Sequence, residues 1–480
     1  MLGGDLMKVI EALQKFENET KVKYKTEVYI TGGYVRDLLR KKKNSDLDIV
    51  VRNVGLNTVE KFLQDYGKTK RLTIHNVEGT NPITFILFKT EEDSEFEAQI
   101  TTVKGTTRKN KKNINNIHAS LKQDSNHRDF TINAMYIPIN DISSKKVIDI
   151  WGGKNDIKGR QILSVGSAKS KFVKSPIRIL RAFSLSARTK YTISHHVRSA
   201  ISENTYLLKK LSGEAIRTEL EEILLSHKPS SYLKLMQKLG VLKVILPELD
   251  NCVSCAQDKR YHKYNVFNHL IYTCDNIEPD IVLRLAGLLH DIGKPQVKDV
   301  NNDKVTFYKH EVVGAKMAAV ILKRLRYDNK TIDKVCHLIR MHMYHYTREY
   351  TDAGVRRFIN NAKITEKDIE DISNFPLFRI RQAERLGNGF KKQAVTGRQK
   401  DFEERLVKIF KESYGSLTTK DLLVDGNDLM EYLKLKPSRE VGEILEYLLE
   451  IVLENSENNN KRTLLHYALD YVIDKEGKNE

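Results

Sequence analysis

The chain has 480 residues, with 81 Lys and Arg against 63 Asp and Glu, and a formal net charge of +18. At roughly 150 residues per domain this is about three domains, and hydrophobic residues at 40% exclude wholesale disorder. No apolar run reaches the ~20 residues that a membrane span requires, so no membrane partner is expected. Asp5 and Glu11 interrupt the start where a secretory signal would need an apolar core. Four cysteines exclude a disulfide scaffold and predict a cytoplasmic protein. Cys252 and Cys255 form one Cys-x-x-Cys, but no second pair at zinc-ribbon spacing accompanies it.

In chain order, residues 8–18 read as a helix with Val9, Leu13 and Phe16 near one face. Val28–Thr31 is a β-branched strand that runs into Gly32-Gly33, and Tyr34–Arg40 continues as a helix. Leu47–Val51, Thr84–Phe88 and Phe96–Ile100 read as three more strands. Lys104–Arg128 carries seven Lys or Arg against the single acid Asp124, a composition that predicts a mobile basic loop. Strand signals fade after Asp156. From about Ser175 the periodicity is helical almost throughout, apart from a small hairpin edge near Val305–Tyr308. The expected class is therefore α+β, with a mixed sheet and its helices in front and all-α segments behind.

The charge is uneven. Residues 438–480 hold five basic and ten acidic side chains, which leaves +23 on residues 1–437. Two readings stand: a polyanion lies along the front and middle, or the surface is simply Lys-rich and solvated.

Two groups of residues carry chemistry. In Thr31-Gly32-Gly33-Tyr34-Val35-Arg36-Asp37, two glycines between a strand and a helix let backbone amides approach an anion, and Arg36 adds a charged fork for a phosphate. Asp46 and Asp48 stand two apart at a strand, so both project from one face, where a pair of Mg²⁺ ions relieves their repulsion. A third carboxylate is expected from Glu95 or Glu97, with Glu97 preferred. The second group is a cluster: seven of the fourteen histidines fall between His262 and His345. His269, His290, His310 and His342 lie on or at the ends of four separate predicted helices. Together with Asp291 they suit a divalent transition metal, and Asp291 is able to bridge two ions. His262, His337 and His345 are set outside this ligand set.

The chain resembles the class II tRNA nucleotidyltransferases and the related bacterial poly(A) polymerases over nearly its whole length. Gly32, Gly33, Arg36, Asp37, Asp46 and Asp48 match the family's first motif, which implies that the two aspartates bind catalytic metals. His127-Arg128-Asp129-Phe130-Thr131-Ile132-Asn133-Ala134 is similar to Arg-Arg-Asp-x-x-x-Asn-Ala, with His127 in place of the first arginine. That match implies that Arg128, Asp129 and Asn133 hold triphosphate and ribose. Asp149 to Asp156 resembles the next motif, thought to couple head and neck movements. Lys174-Ser175-Pro176-Ile177-Arg178-Ile179-Leu180-Arg181-Ala182 stands where the family has Glu-Asp-Pro-Leu-Arg-x-Leu-Arg-Ala. The resemblance thus puts Ser175, Arg178 and Arg181 at the incoming base, with Ser175 replacing the base-reading aspartate. Residues 212–220 resemble the neck helix, and equally read as an ordinary amphipathic helix.

Leu-Leu-His290-Asp291-Ile-Gly-Lys-Pro resembles the metal-dependent phosphohydrolase module called HD. In Arg381-Gln-Ala-Glu384-Arg-Leu-Gly387, Glu384 takes the place of that module's last aspartate ligand. The segment from Asp425 resembles the closing helices of such chains. The resemblance implies a nucleotidyltransferase head at residues 1–160, a helical neck and RNA-binding domain at 161–250, an HD domain at 251–395 and a helical tail at 396–480. It implies addition of CMP and AMP from CTP and ATP to tRNA or other RNA 3′ ends. The alternatives are a poly(A) polymerase, or an HD phosphohydrolase with a degenerate nucleotide-selection site.

Overall fold

The computed structural model describes the chain apart from residues 1–3, 44–45, 75–82, 91–97, 107–112, 115–116, 302–303, 348, 413–417 and 477–480. Glu95 and Glu97 therefore lie outside the described residues. Two compact units are present: Met1–Asp250 with Lys323–Tyr327, and Asn251–Leu322 with Asp328–Glu480.

The first unit opens with a seven-stranded mixed sheet. Its spatial order is Gly67–Ile74, Ile83–Thr90, Ala98–Thr102, Leu47–Arg52, Glu27–Thr31, Met135–Pro138, Ile148–Asp149. Leu47–Arg52 runs parallel to Ala98–Thr102 and antiparallel to Glu27–Thr31. The helix Gly4–Tyr24 lays Leu6, Val9, Leu13 and Phe16 on one face, against Val28, Ile30, Ile49, Val51, Ile86 and Ile100. Such a 3–4 spacing of apolar side chains is what a single buried helix stripe requires. Successive strand residues face opposite ways, so Asp48 and Val50 point to the other face, where Val50 packs on Val103 and Ala119.

Several expectations are corrected here. The strand begins at Leu47 as expected, but Asp46, read as sharing it with Asp48, lies just before it and is exposed. Gly67–Ile74 is an unexpected strand, an edge rich in Lys and Thr whose pattern lacks an apolar face. The basic stretch is ordered in its described parts: Gly105–Thr106 pairs with Asn113–Ile114, and Leu121–Ser125 is a helix whose capping box joins Ser120 and Gln123. Behind the sheet, the helices Ile177–Thr189 and Gly213–Leu224 pack together and are cross-linked by Ser184 and Arg181 on Glu219.

The second unit is helical, with the expected hairpin edge formed by Asp299–Asn301 and Lys304–Thr306. Val266–Asp275, Ile281–Leu289, His310–Arg324, Asn329–Met341 and Pro376–Gly387 supply its first layer. A Cβ on Gly293 would stand 2.5 Å from the His310 carbonyl and 2.7 Å from the Gly314 amide. Only a glycine lets the turn after Ile281–Leu289 approach the start of His310–Arg324 so closely. The tail helices Gly426–Leu433, Arg439–Glu454 and Lys461–Glu476 close a separate apolar cluster around Leu429, Ile444, Leu448 and Leu464. Among the described residues no helix is long and apolar enough to cross a membrane.

Gly32 has φ +68°, and a Cβ there would collide with the Asp48 carboxylate. Gly32→Ala is expected to lower stability by about 1–3 kcal/mol, left-handed strain and the displaced carboxylate acting together. Urea denaturation against wild type measures the loss, and an unchanged midpoint would refute it.

Candidate nucleotide site and metal centre

The antiparallel register pairs Thr31 with Asp48. That pairing carries the Asp48 carboxylate beneath Gly32-Gly33, where it accepts the Gly33 amide. The anion that this helix N-terminus meets within the fold is thus Asp48 itself. Burial raises the Asp48 pKa and Asp46 adds to the rise, whereas Arg128, the Gly33 amide and Arg36 oppose it. Two carboxylates repelling at one spot, one half-buried, form the electrostatic setting that a divalent cation relieves.

Arg36 and Asp37 take other positions than the sequence implied. Arg36 is 2% exposed; it donates to Asp37 at 3.0 and 2.6 Å and to Asn133 Oδ1 at 2.8 Å. Asp37 also accepts from Arg40 at 2.7 Å. The expected phosphate fork is turned inward, where it fixes Asn133. Arg128 donates from Nε to the Tyr136 hydroxyl at 3.0 Å and reaches Asp124 Oδ2 at 3.3 Å. Asp124, 3% exposed, also accepts from Tyr136 at 2.7 Å and from the Lys104 amide at 2.9 Å. Neither Asp124 nor Tyr136 was expected to matter. The signal available was that Asp124 is the lone acid in an otherwise basic stretch.

Cations from two helices hold the segment that carries Arg128. Lys171 donates to the Asn126 carbonyl and, at 2.9 Å, to that of Arg128; Arg178 donates to the intervening His127 carbonyl at 2.6 Å. Three successive carbonyls are thus held by two side chains from the helices Ala168–Lys174 and Ile177–Thr189. Arg181 lies 3.9 Å from Asp129, whose other oxygen accepts the Phe130 amide at 2.7 Å. Burial, with Arg178 and Lys174 nearby, pulls Lys171 down to about 8. Burial and Lys174 pull His127 down to about 4, and Lys104 and Lys174 are lowered as well. Cations that depress one another in this way lower their mutual repulsion when a polyanion arrives. Ser175 caps Ala168–Lys174 and is half-buried. Asp149 accepts the Gly153 and Lys154 amides at 2.8 and 2.9 Å, and Asp156 accepts from Thr131, so this motif ties the sheet to the helix Gly153–Gly159.

The second unit brings the histidines together. His290 and His342 cap the ends of Ile281–Leu289 and Asn329–Met341, and His310 opens its helix. Asp291 stands among them. Its Oδ2 lies 3.5 and 3.4 Å from Nε2 of His269 and His290, and its Oδ1 lies 3.2 and 3.7 Å from Nε2 of His310 and His342. Two groups that could hold a metal ion share this aspartate: His269, His290 and Asp291, and Asp291, His310 and His342.

Proton placement sharpens the case. Nδ1 of His290, His310 and His342 faces the carbonyls of Gly287, Phe307 and Ile339 at 2.9, 2.7 and 2.6 Å. A carbonyl only accepts, so Nδ1 carries the proton and the Nε2 lone pairs of the neutral rings face Asp291. Burial opposes a charge on His290, but Asp291 outweighs it and raises its pKa, and its Nε2 stands 3.2 Å from that of His269. Among the described residues His310 Nε2, His342 Nε2 and Asp291 Oδ1 are buried with no hydrogen-bond partner. Burial, reinforced by His290, holds His269 down at about 3, the neutral form that ligates a metal. Lys294 pairs with Asp291 Oδ2 at 2.7 Å and donates to Gln257 at 2.8 Å.

Glu384 joins neither ligand group. Burial would raise its pKa, but Arg381, 3.2 Å away, and the histidines bring it down to about 2, so it adds a full negative charge beside the cluster. Cys252 and Cys255 are buried in the core and take no part among the described residues.

The sheet with its glycine turn, the cations around Arg128 and the buried histidine centre are the features of a nucleotidyltransferase head followed by an HD-type helical unit. Three family models match in series: Poly A polymerase head domain over residues 28–163, Probable RNA and SrmB-binding site of polymerase A over 190–253, and HD domain over 260–410. The A-adding tRNA nucleotidyltransferase of Deinococcus radiodurans is 26% identical over 345 residues, 69% of this chain and 75% of that relative. The CC-adding tRNA nucleotidyltransferase of Thermus thermophilus is 26% identical over 351 residues, 70% and 75% of the two chains. In fold, the chain is similar to the CCA-adding enzyme of Bacillus stearothermophilus solved with CTP, with a TM-score of 0.66 at 18% identity over 99% of this chain and 100% of that one. The chain thus carries the poly(A) polymerase head domain and an HD domain and is similar to tRNA nucleotidyltransferases over about 70% of its length.

Tyr136→Phe removes the hydroxyl that bonds buried Asp124 and Arg128. The expected loss is about 1–3 kcal/mol of stability, because a buried carboxylate is left short of a donor. Thermal and urea unfolding read this directly, and a neutral substitution would remove Asp124 from the account.

Proposed function

We propose that the protein is a template-independent RNA nucleotidyltransferase that adds CMP and AMP, the CCA sequence or part of it, to tRNA 3′ ends. The observation that carries this reading is the Asp48 carboxylate held under Gly32-Gly33 within the field of Arg128. Residues 1–160 would do the chemistry, 161–250 would hold the tRNA, 251–395 form the HD domain and 396–480 a helical tail. A tRNA substrate and free cysteines both accord with a cytoplasmic location.

Asp46 and Asp48 would hold Mg²⁺, which supplies acidification of the terminal ribose 3′-hydroxyl and charge relief for the departing pyrophosphate. Glu97 is the third carboxylate of this proposal. The remaining work belongs to the chain's own cations. Arg128 neutralises phosphate, while Asn133, steadied by Arg36, and Asp129, steadied by Arg181, address the ribose. Lys171 and Arg178 hold the 126–128 carbonyls and so fix the backbone that carries Arg128. Ser175 offers the base a single hydroxyl, and base choice rests on it together with Arg178.

Asp46→Asn and Asp48→Asn are each expected to cut incorporation of labelled nucleotide at least 100-fold without loss of fold, since the metals act only if both carboxylates hold them. Transcripts ending before CCA, before CA and before A, given CTP and ATP singly and together, report which residues are added. Long oligo(A) products would instead identify a poly(A) polymerase. Labelling undiminished in either variant would sink the proposal.

The buried histidine centre favours a second activity. We infer that His269, His290, Asp291, His310 and His342 hold one or two divalent transition-metal ions, with Glu384 lending charge, for hydrolysis of phosphate esters. Manganese should raise the melting temperature of the chain by several degrees, and His290→Ala should abolish that rise. Burial lowers the His290 pKa but Asp291 outweighs it and raises it, so manganese must displace a proton from His290 and the gain should shrink as pH falls through that raised pKa. Scanning calorimetry with and without a chelator is the check, and an equal rise in His290→Ala would contradict it.

A further inference from the structure

His262 belongs to neither metal-ligating group, yet its ring lies 5.8 Å from that of His269 at an interplanar angle of 75°. It belongs to the loop that precedes Val266–Asp275 and lies within electrostatic reach of Asp291 and Glu384, so it borders the centre. A neighbour decides which of its nitrogens carries the proton. Asn388, 3% exposed, sits at the far end of Pro376–Gly387 and places one amide nitrogen 2.9 Å from the Tyr261 carbonyl and 3.1 Å from His262 Nδ1. The carbonyl only accepts, so the Asn388 atom is the NH₂ nitrogen, and its second N–H goes to Nδ1. The Asn388 side-chain oxygen accepts the Phe390 amide at 3.4 Å, and its backbone carbonyl accepts the Lys263 amide at 3.3 Å. With Nδ1 an acceptor, the neutral ring of His262 carries its proton on Nε2.

This is the reverse of His290, His310 and His342, whose Nδ1 donates and whose Nε2 lone pair is turned to the centre. Three imidazoles are set to receive a cation, and one is set to donate. A donor beside a metal centre is suited to an anion that the metal also holds, and ill suited to ligate through the same nitrogen. We propose that His262 is a substrate-facing residue of the histidine centre, its Nε2–H donating to a phosphoryl oxygen of the bound phosphate ester, with Asn388 the positioning residue that sets its tautomer.

The proposal rests on the metal reading above, and the test separates the two. The full chain is loaded with manganese, metal content is measured, and binding of inorganic phosphate is followed by calorimetry. His262→Leu should weaken phosphate about tenfold or more at unchanged manganese content. His262→Gln, which presents an N–H near the same place, should return to within about threefold of wild type. Asn388→Leu should weaken phosphate in the wild-type background and add little to His262→Leu, the coupling expected of residues that act as a pair. Phosphate binding in His262→Leu equal to wild type overturns the proposal. So does loss of manganese from that variant, which would make His262 a ligand. Wild-type protein that holds manganese but no phosphate overturns the donor role and leaves the metal centre standing, whereas protein that holds no manganese removes both.

Discussion

Thr31 is paired with Asp48, and the place of the Asp48 carboxylate beneath Gly32-Gly33 depends on that register. A slip of one residue would send Asp48 to the helix-covered face among Val28, Ile30 and Ile49, where a carboxylate has no place. The register is held by Leu47, Ile49 and Val51, which must bury on one face, and so the side chains that work are set by those that do not. Gly32 completes the arrangement, because only a residue without a Cβ leaves room for that carboxylate.

From there the site is built by backbone capture more than by contacts among functional side chains. Lys171 and Arg178 hold three consecutive carbonyls, Asp149 holds two amides, and Arg36 is buried behind Asn133. Arg36 and Arg178 were expected at the nucleotide, and in the fold their side chains hold Asn133 and the His127 carbonyl. The physical reason is one of supply. A loop of basic and polar residues has no apolar face to bury, so charged side chains from neighbouring helices must pin it.

The second unit solves the opposite problem. Four imidazoles and a carboxylate are buried together, and three of the rings are oriented by backbone carbonyls three residues upstream. A histidine at the C-terminal end of a helix meets free carbonyls there, which serves His290 and His342, whereas His310 opens its helix and meets the Phe307 carbonyl of the preceding turn. Convergence of lone pairs would be costly in a closed core without a cation. His262, oriented by Asn388 in the other sense, stands apart from this pattern.

Much was legible in the sequence. Apolar periodicity marked the first helix, the strands Glu27–Thr31 and Leu47–Arg52, and the helical second half, while Gly32-Gly33, Asp48 and the histidines at helix ends stood out by residue type and spacing. The strand Gly67–Ile74 was not, since an edge strand needs no alternating apolar face. Nor were Asp124, Tyr136 and Asn388, whose roles come from partners 12, 20 and 126 residues away. Local pattern determines which face of an element must be buried, and that alone placed the elements and their reactive residue types. Which carbonyl a cation meets, and which imidazole nitrogen carries a proton, depends on groups that only folding brings within hydrogen-bond distance; those choices were left to the tertiary structure.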